Sequence, residues 1–125
     1  MSNHHPNAHA EFDRVNNIVV ITLNGDLDIE LLALTLDKTD EYLLELSENG
    51  LPPIGFADAR GLLSIKLEAR RHGVEWLRTA NYKKFAVYGN NLFVKYFVNG
   101  LIKVLGNPMR YFTSRDEAIA WLKEE

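Results

Sequence analysis

Three aspartates, an arginine and a serine stand where chemistry could gather in this 125-residue chain. Asp26, Asp28 and Asp58 lie near predicted strand-to-helix junctions, where open α/β sheets place their ligand sites. Paired carboxylates at such a rim could exchange protons or hold Mg²⁺. The same residues also fit a plainer role, with Asp26 and Asp28 solvating a turn and favouring the positive end of a helix, and Asp58 capping a turn. Arg60 could bind an anion, but two residues from Asp58 it is placed for a local surface pair. Asp26, Asp58 and Arg60 are therefore candidates for a polar rim. No His, Ser or Lys is spaced to complete a catalytic set, so the expectation is no enzyme and no cofactor. His72, between Arg71 and Gly73, is expected to meet solvent or a nearby acid.

One metal pattern occurs in the tail. If Met1 is removed, the chain begins Ser2-Asn3-His4. A free amine, two amide nitrogens and the His4 imidazole then offer four nitrogens in a plane, a geometry suited to Cu(II) or Ni(II). Any tail with His at that place would match, which makes the signal a weak one.

The elements that must carry these residues read clearly in order. Residues 1–10 form a polar tail and 11–125 a single domain. Short extended runs at Glu11–Val15 and Ile18–Leu23 meet at Asn16-Asn17, a pair that tolerates a tight hairpin turn. Gly25-Asp26 breaks the second run, and a helix is predicted from Leu27 to Glu48, stopped by Asn49-Gly50 and Pro52-Pro53. A buried strand Ile54–Asp58 turns at Ala59-Arg60-Gly61 into a helix from Ser64 to Ala80. Strand Lys84–Tyr88, helix Leu92–Leu105 and strand Met109–Phe112 follow. Ser114 and Glu117 make a capping box for the last helix, whose Ala118, Trp121 and Leu122 share one face. After the hairpin, strands and helices alternate, which predicts an α/β fold with a mostly parallel sheet.

Composition narrows the function classes. A formal charge of −3 argues against nucleic-acid binding, which usually needs a basic field. The absence of cysteine removes disulfides, thiolate metal sites and cysteine nucleophiles, and fits a cytoplasmic protein. The N-terminus lacks the basic stretch and apolar run of a signal peptide. The apolar region 92–105 is interrupted by Lys95, Asn99, Gly100 and Lys103, and it is shorter than the roughly 20 residues that span a bilayer.

That region nonetheless carries more apolar side chains than one stripe requires. Phe93, Tyr96 and Phe97, with six or more aliphatic neighbours, spread well beyond one helix face. Leu31 and Leu34 on the first helix also lie off its core stripe. Three readings stay open: the surplus closes one core, forms a homodimer interface, or lines a pocket for an apolar ligand.

Asn24-Gly25-Asp26-Leu27, Phe56-Ala57-Asp58, Phe85-Ala86-Val87-Tyr88-Gly89 and the closing Arg110-Tyr111-Phe112 with Asp116–Leu122 together resemble the SpoIIAA-like branch of the STAS domains. That branch is similar to anti-sigma-factor antagonists and distantly to CRAL-TRIO lipid-transfer domains. The resemblance covers about residues 11–124. It implies a five-stranded sheet with four helices and a binding or regulatory role toward an unidentified protein partner, with a small apolar or lipid-like ligand as the alternative. The chain departs from the family pattern where a phosphorylated Ser follows Asp. Here Asp58-Ala59-Arg60-Gly61-Leu62-Leu63-Ser64 leaves Ser64 as the nearby hydroxyl, a weak phosphorylation candidate better placed to cap the second helix at the N–H of Lys66 or Leu67.

Overall fold

The computed structural model of the protein describes residues 7–106 and 108–124. Strands β1 (Asn7–Asp13) and β2 (Ile18–Leu27) form a hairpin, and helix α1 (Ile29–Glu48) leads to β3 (Ile54–Ile65). Helix α2 (Leu67–Thr79), β4 (Lys84–Tyr88), α3 (Leu92–Leu105), β5 (Met109–Phe112) and α4 (Arg115–Lys123) complete the chain. The five strands lie in the order β1-β2-β3-β4-β5. β1 is antiparallel to β2, and every other neighbouring pair is parallel.

Local chemistry explains most of the boundaries. The Asp13 carboxylate accepts from the backbone N–H groups of Val15 and Asn16, and Asn17 takes the left-handed conformation that closes the hairpin. β1 begins four residues before its expected start, so residues 7–10 belong to the sheet and not to a tail. Asp28 caps α1 by accepting from Leu31 N–H at 2.9 Å. Asn91 does the same for α3 at Val94 N–H, 2.8 Å, and Ser114 for α4 at Glu117 N–H, 3.3 Å. Lys84 Nζ donates to the carbonyls of Trp121 and Glu124 at 2.7 and 2.9 Å, placing a cation at the negative end of α4.

Two expected breaks are absent. β2 runs through Gly25-Asp26, with irregular register there, and β3 runs through Ala59-Arg60-Gly61. The two extensions hold each other, since Asn24 pairs with Gly61, Gly25 with Leu62, Asp26 with Ser64 and Leu27 with Ile65. Gly61 leaves room for the Asn24 side-chain amide, which would have to turn away from a Cβ at that position. With β3 longer, α2 starts at Leu67; its N-cap is Lys66, which makes no side-chain cap, and the expected capping role of Ser64 is overturned.

All three β-α-β connections step one strand in the same direction, so right-handed crossovers put α1, α2 and α3 on one face. That face holds the larger core, with Val19, Ile21, Ala57, Phe85 and Val87 beneath Leu36, Leu46, Trp76, Leu77 and Val98. Among the described residues the opposite face is covered by α4 alone, with Ala118 and Leu122 over Ile18, Ile54, Phe56 and Ala86. Trp121 shares that face as expected and is half-buried there, packed against the same core and tilted against Phe112. No helix among the described residues is long and apolar enough to cross a membrane.

Candidate functional site

The polar candidates fall on the β2–β3 ribbon, and the sheet keeps them apart. Asp58 lies opposite Thr22 and Asp26 opposite Ser64. Four residues of strand separate the two registers, roughly 13 Å, so Asp26 and Asp58 cannot share a proton or a cation. Among the described residues no group of three or more His, Asp or Glu could hold a metal ion. His9 lies in β1 against Glu11 at 3.0 Å. His4 lies outside the described residues.

Asp58 and Arg60 face the α4 side of the sheet, two residues apart on one strand. Arg60 Nε and Nη2 donate to the two carboxylate oxygens at 3.0 and 2.8 Å, and its guanidinium sits 4.7 Å from the Tyr88 ring centroid. Burial alone would raise the Asp58 carboxyl. Hydrogen bonds from the Arg60 side chain and N–H, with the charges of Arg60 and Arg115, outweigh it and hold the group below the usual carboxylate range. The guanidinium is correspondingly held above its ordinary value by Asp58. A general base should titrate near the working pH; this carboxylate is ionised and occupied. Ser64 Oγ donates to Asp26 Oδ1 at 2.5 Å, so its hydroxyl also has a partner. A phosphate there would meet the Asp26 charge.

The apolar candidates divide by direction. Val94 and Val98 of α3 are buried, while Phe97, Leu101, Ile102 and Leu105 pack partly against the core. Facing outward are Leu92, Tyr96 and Val104, exposed by 65, 66 and 77%, with Phe93 at 37%. Phe93 stacks on Phe97 with centroids 6.0 Å apart, joining the outer and inner sides of the helix. On α1, Leu31 turns inward onto the core, and Leu34 is 70% exposed.

Beneath α3 an apolar cavity of about 100 Å³ lies between the helical layer and the sheet. Phe97, Val94 and Leu101 line it from α3, Trp76 and Gly73 from α2, and Leu32 from α1. Phe93 does not line it. Arg70, absent from the sequence-based candidates, is the charged residue at its wall, donating to the Ile65 carbonyl at 3.2 Å. Trp76 is held by Asp40, whose carboxylate accepts from the indole N–H at 2.7 Å. One sequence signal could have pointed here: Gly73 shares the core side of α2 with Trp76 and Leu77 and supplies no side chain there.

No protein-family model matches the chain, and no curated protein matches it significantly. Among solved structures it is similar to an uncharacterised protein of the DUF3478 family with a SpoIIAA-like fold from Shewanella loihica PV-4. That likeness has 17% identity over 98% of both chains and a TM-score of 0.70. It is also similar to an anti-sigma factor antagonist from Mycobacterium paratuberculosis, at 15% identity over 98% of both chains, with a TM-score of 0.55. At such identities the likeness is one of architecture. The element order, the five-stranded mixed sheet and these two neighbours together give this chain a SpoIIAA-like α/β fold.

Proposed function

We propose that this chain is a non-enzymatic interaction module of the cytoplasm, acting by binding protein through the outer surface of its helical layer and self-associating as a homodimer. The observation that carries the reading is the row Leu92, Tyr96 and Val104, which α3 turns to solvent when its core face is already supplied by Val94 and Val98. Exposed apolar surface of that kind marks interaction sites. A regulatory role is in keeping with the fold shared with an anti-sigma factor antagonist. The engagement of Asp58 by Arg60 and of Ser64 by Asp26 supports a role other than catalysis. Tyr96→Glu tests the reading in sedimentation: the wild type should form dimers and the variant monomers of unchanged fold, since an unpaired carboxylate is costly only where water is excluded. A wild type that stays monomeric at all concentrations ends the homodimer reading.

The cavity favours a second reading, a carrier of a small apolar ligand. Dry cavities of comparable size lined by aliphatic and aromatic groups take up small apolar guests. Native mass spectrometry of the purified protein should then show a bound species lost on replacing Leu101 with Phe. An unliganded mass, together with no uptake of added apolar probes, would remove this reading.

A further inference from the structure

We infer that the homodimer is crossed, with α3 of one protomer lying on α1 of its partner. The inference rests on the self-association proposed above and assigns its faces. Strand order follows chain order, so α1, α2 and α3 lie side by side with α2 in the middle, touching both neighbours. The two outer helices differ in charge. The exposed face of α1 sets Glu30, Asp37, Glu41 and Glu48 around Leu34 and Leu44. Two cations sit beside it, Lys38 at 3.7 Å from Glu41 and Arg14 of the hairpin turn at 2.8 Å from Glu45, and the acids still outnumber them. The exposed surface of α3 sets Lys95 and Lys103 around Leu92, Tyr96 and Val104, and this helix contains no acid.

Like helices therefore repel and unlike helices attract. Placing α3 on its own copy opposes lysines, and placing α1 on its own copy opposes carboxylates. A twofold axis running along α2 in the plane of contact avoids both, because it exchanges the two flanks of the layer and sets α1 over α3 twice. α2 then meets its own copy at matching heights, and its exposed Glu68, Arg71, Glu75 and Arg78 alternate in sign, so each charge finds an opposite one about a turn away on the facing helix. Charges placed this way choose the register, while the leucines and Tyr96 supply the apolar contact.

Two variants test the arrangement by sedimentation, with circular dichroism to verify folding. The first is Lys95→Glu with Lys103→Glu, the second Asp37→Lys with Glu41→Lys; all four positions are exposed. Juxtaposed like charges cost enough to weaken each variant's self-association by at least about tenfold. Mixed together, the two variants should recover wild-type affinity as a heterodimer, since both contacts are then attractive. A wild type that is monomeric overturns this inference together with the homodimer reading. A dimeric wild type whose α1 variant also stays dimeric overturns the inference alone, because α3 then meets something other than α1. Two folded, monomeric variants that fail to rescue each other overturn it as well.

Discussion

The two faces of the sheet are covered by very different means. One carries three helices and still leaves an unfilled apolar volume beneath them; the other, among the described residues, carries one nine-residue helix set directly on the sheet. α2 meets α3 less closely than it meets α1, and residues of all three helices line the void. The small residue Gly73 widens it. A single short helix needs no neighbour, so Ala118 and Leu122 can settle directly on Phe56 and Ala86. Its shortness leaves the distal part of that face to a polar pair, with the Arg60 guanidinium lying on Tyr88. Ample cover thus leaves both a cavity and an apolar outer surface, while sparse cover leaves a tight seam and a polar remainder.

Substitutions can break or sharpen that contrast. Phe56 is 0% exposed in the tight seam, so Phe56→Ala should have the largest effect, about 3–5 kcal/mol in chemical denaturation. A loss below about 1 kcal/mol would mean that the seam relaxes as readily as the looser face. Trp121 is half-buried at the rim of the same seam, and its replacement by Ala should cost less, about 1–2 kcal/mol. A cost equal to that of Phe56→Ala would show that the indole carries the seam.

On the three-helix face the sign should reverse. An added Cβ at Gly73 would stand 3.5 Å from Leu32 Cδ2, an ordinary contact, beside the cavity. Gly73→Ala should raise stability by about 1 kcal/mol, from helix propensity and partial filling. Destabilisation would show that the region is already packed. The smallest effect belongs to the open polar remainder. The Asp58 carboxyl is held below its ordinary value, so its contribution to stability is present above the unfolded value, near pH 4, and is lost as pH falls through the folded one. Asp58→Asn should therefore flatten the acid limb of the stability–pH curve. Superimposable curves would mean that the Arg60 pair contributes nothing in solution.

Most of the elements were legible in the residues. The α3 span, the caps at Ser114 and Asn49-Gly50 and the strand Lys84–Tyr88 follow from short-range signals that act within one turn or one strand. The candidate site was less so. Asp26 and Asp58 both sit beside glycine-containing stretches that look like turns in isolation, yet each stretch is strand because the other is there to pair with it. The same error placed Ser64 at a helix start. Phe93 and Phe97, stacked on one flank of the same helix, differ in depth, and only Phe97 reaches the cavity.

What the sequence determined by itself was the order and type of elements, a mostly parallel sheet, and an apolar surplus on the third helix, because patterning and caps are local and are read within a few residues. The tertiary structure alone decided how far β2 and β3 extend, that three helices share one face, that a cavity opens between them, and which apolar groups of α3 remain in water. Those outcomes depend on what lies opposite each residue in space, and contacts between residues distant in the chain leave no periodic trace in it.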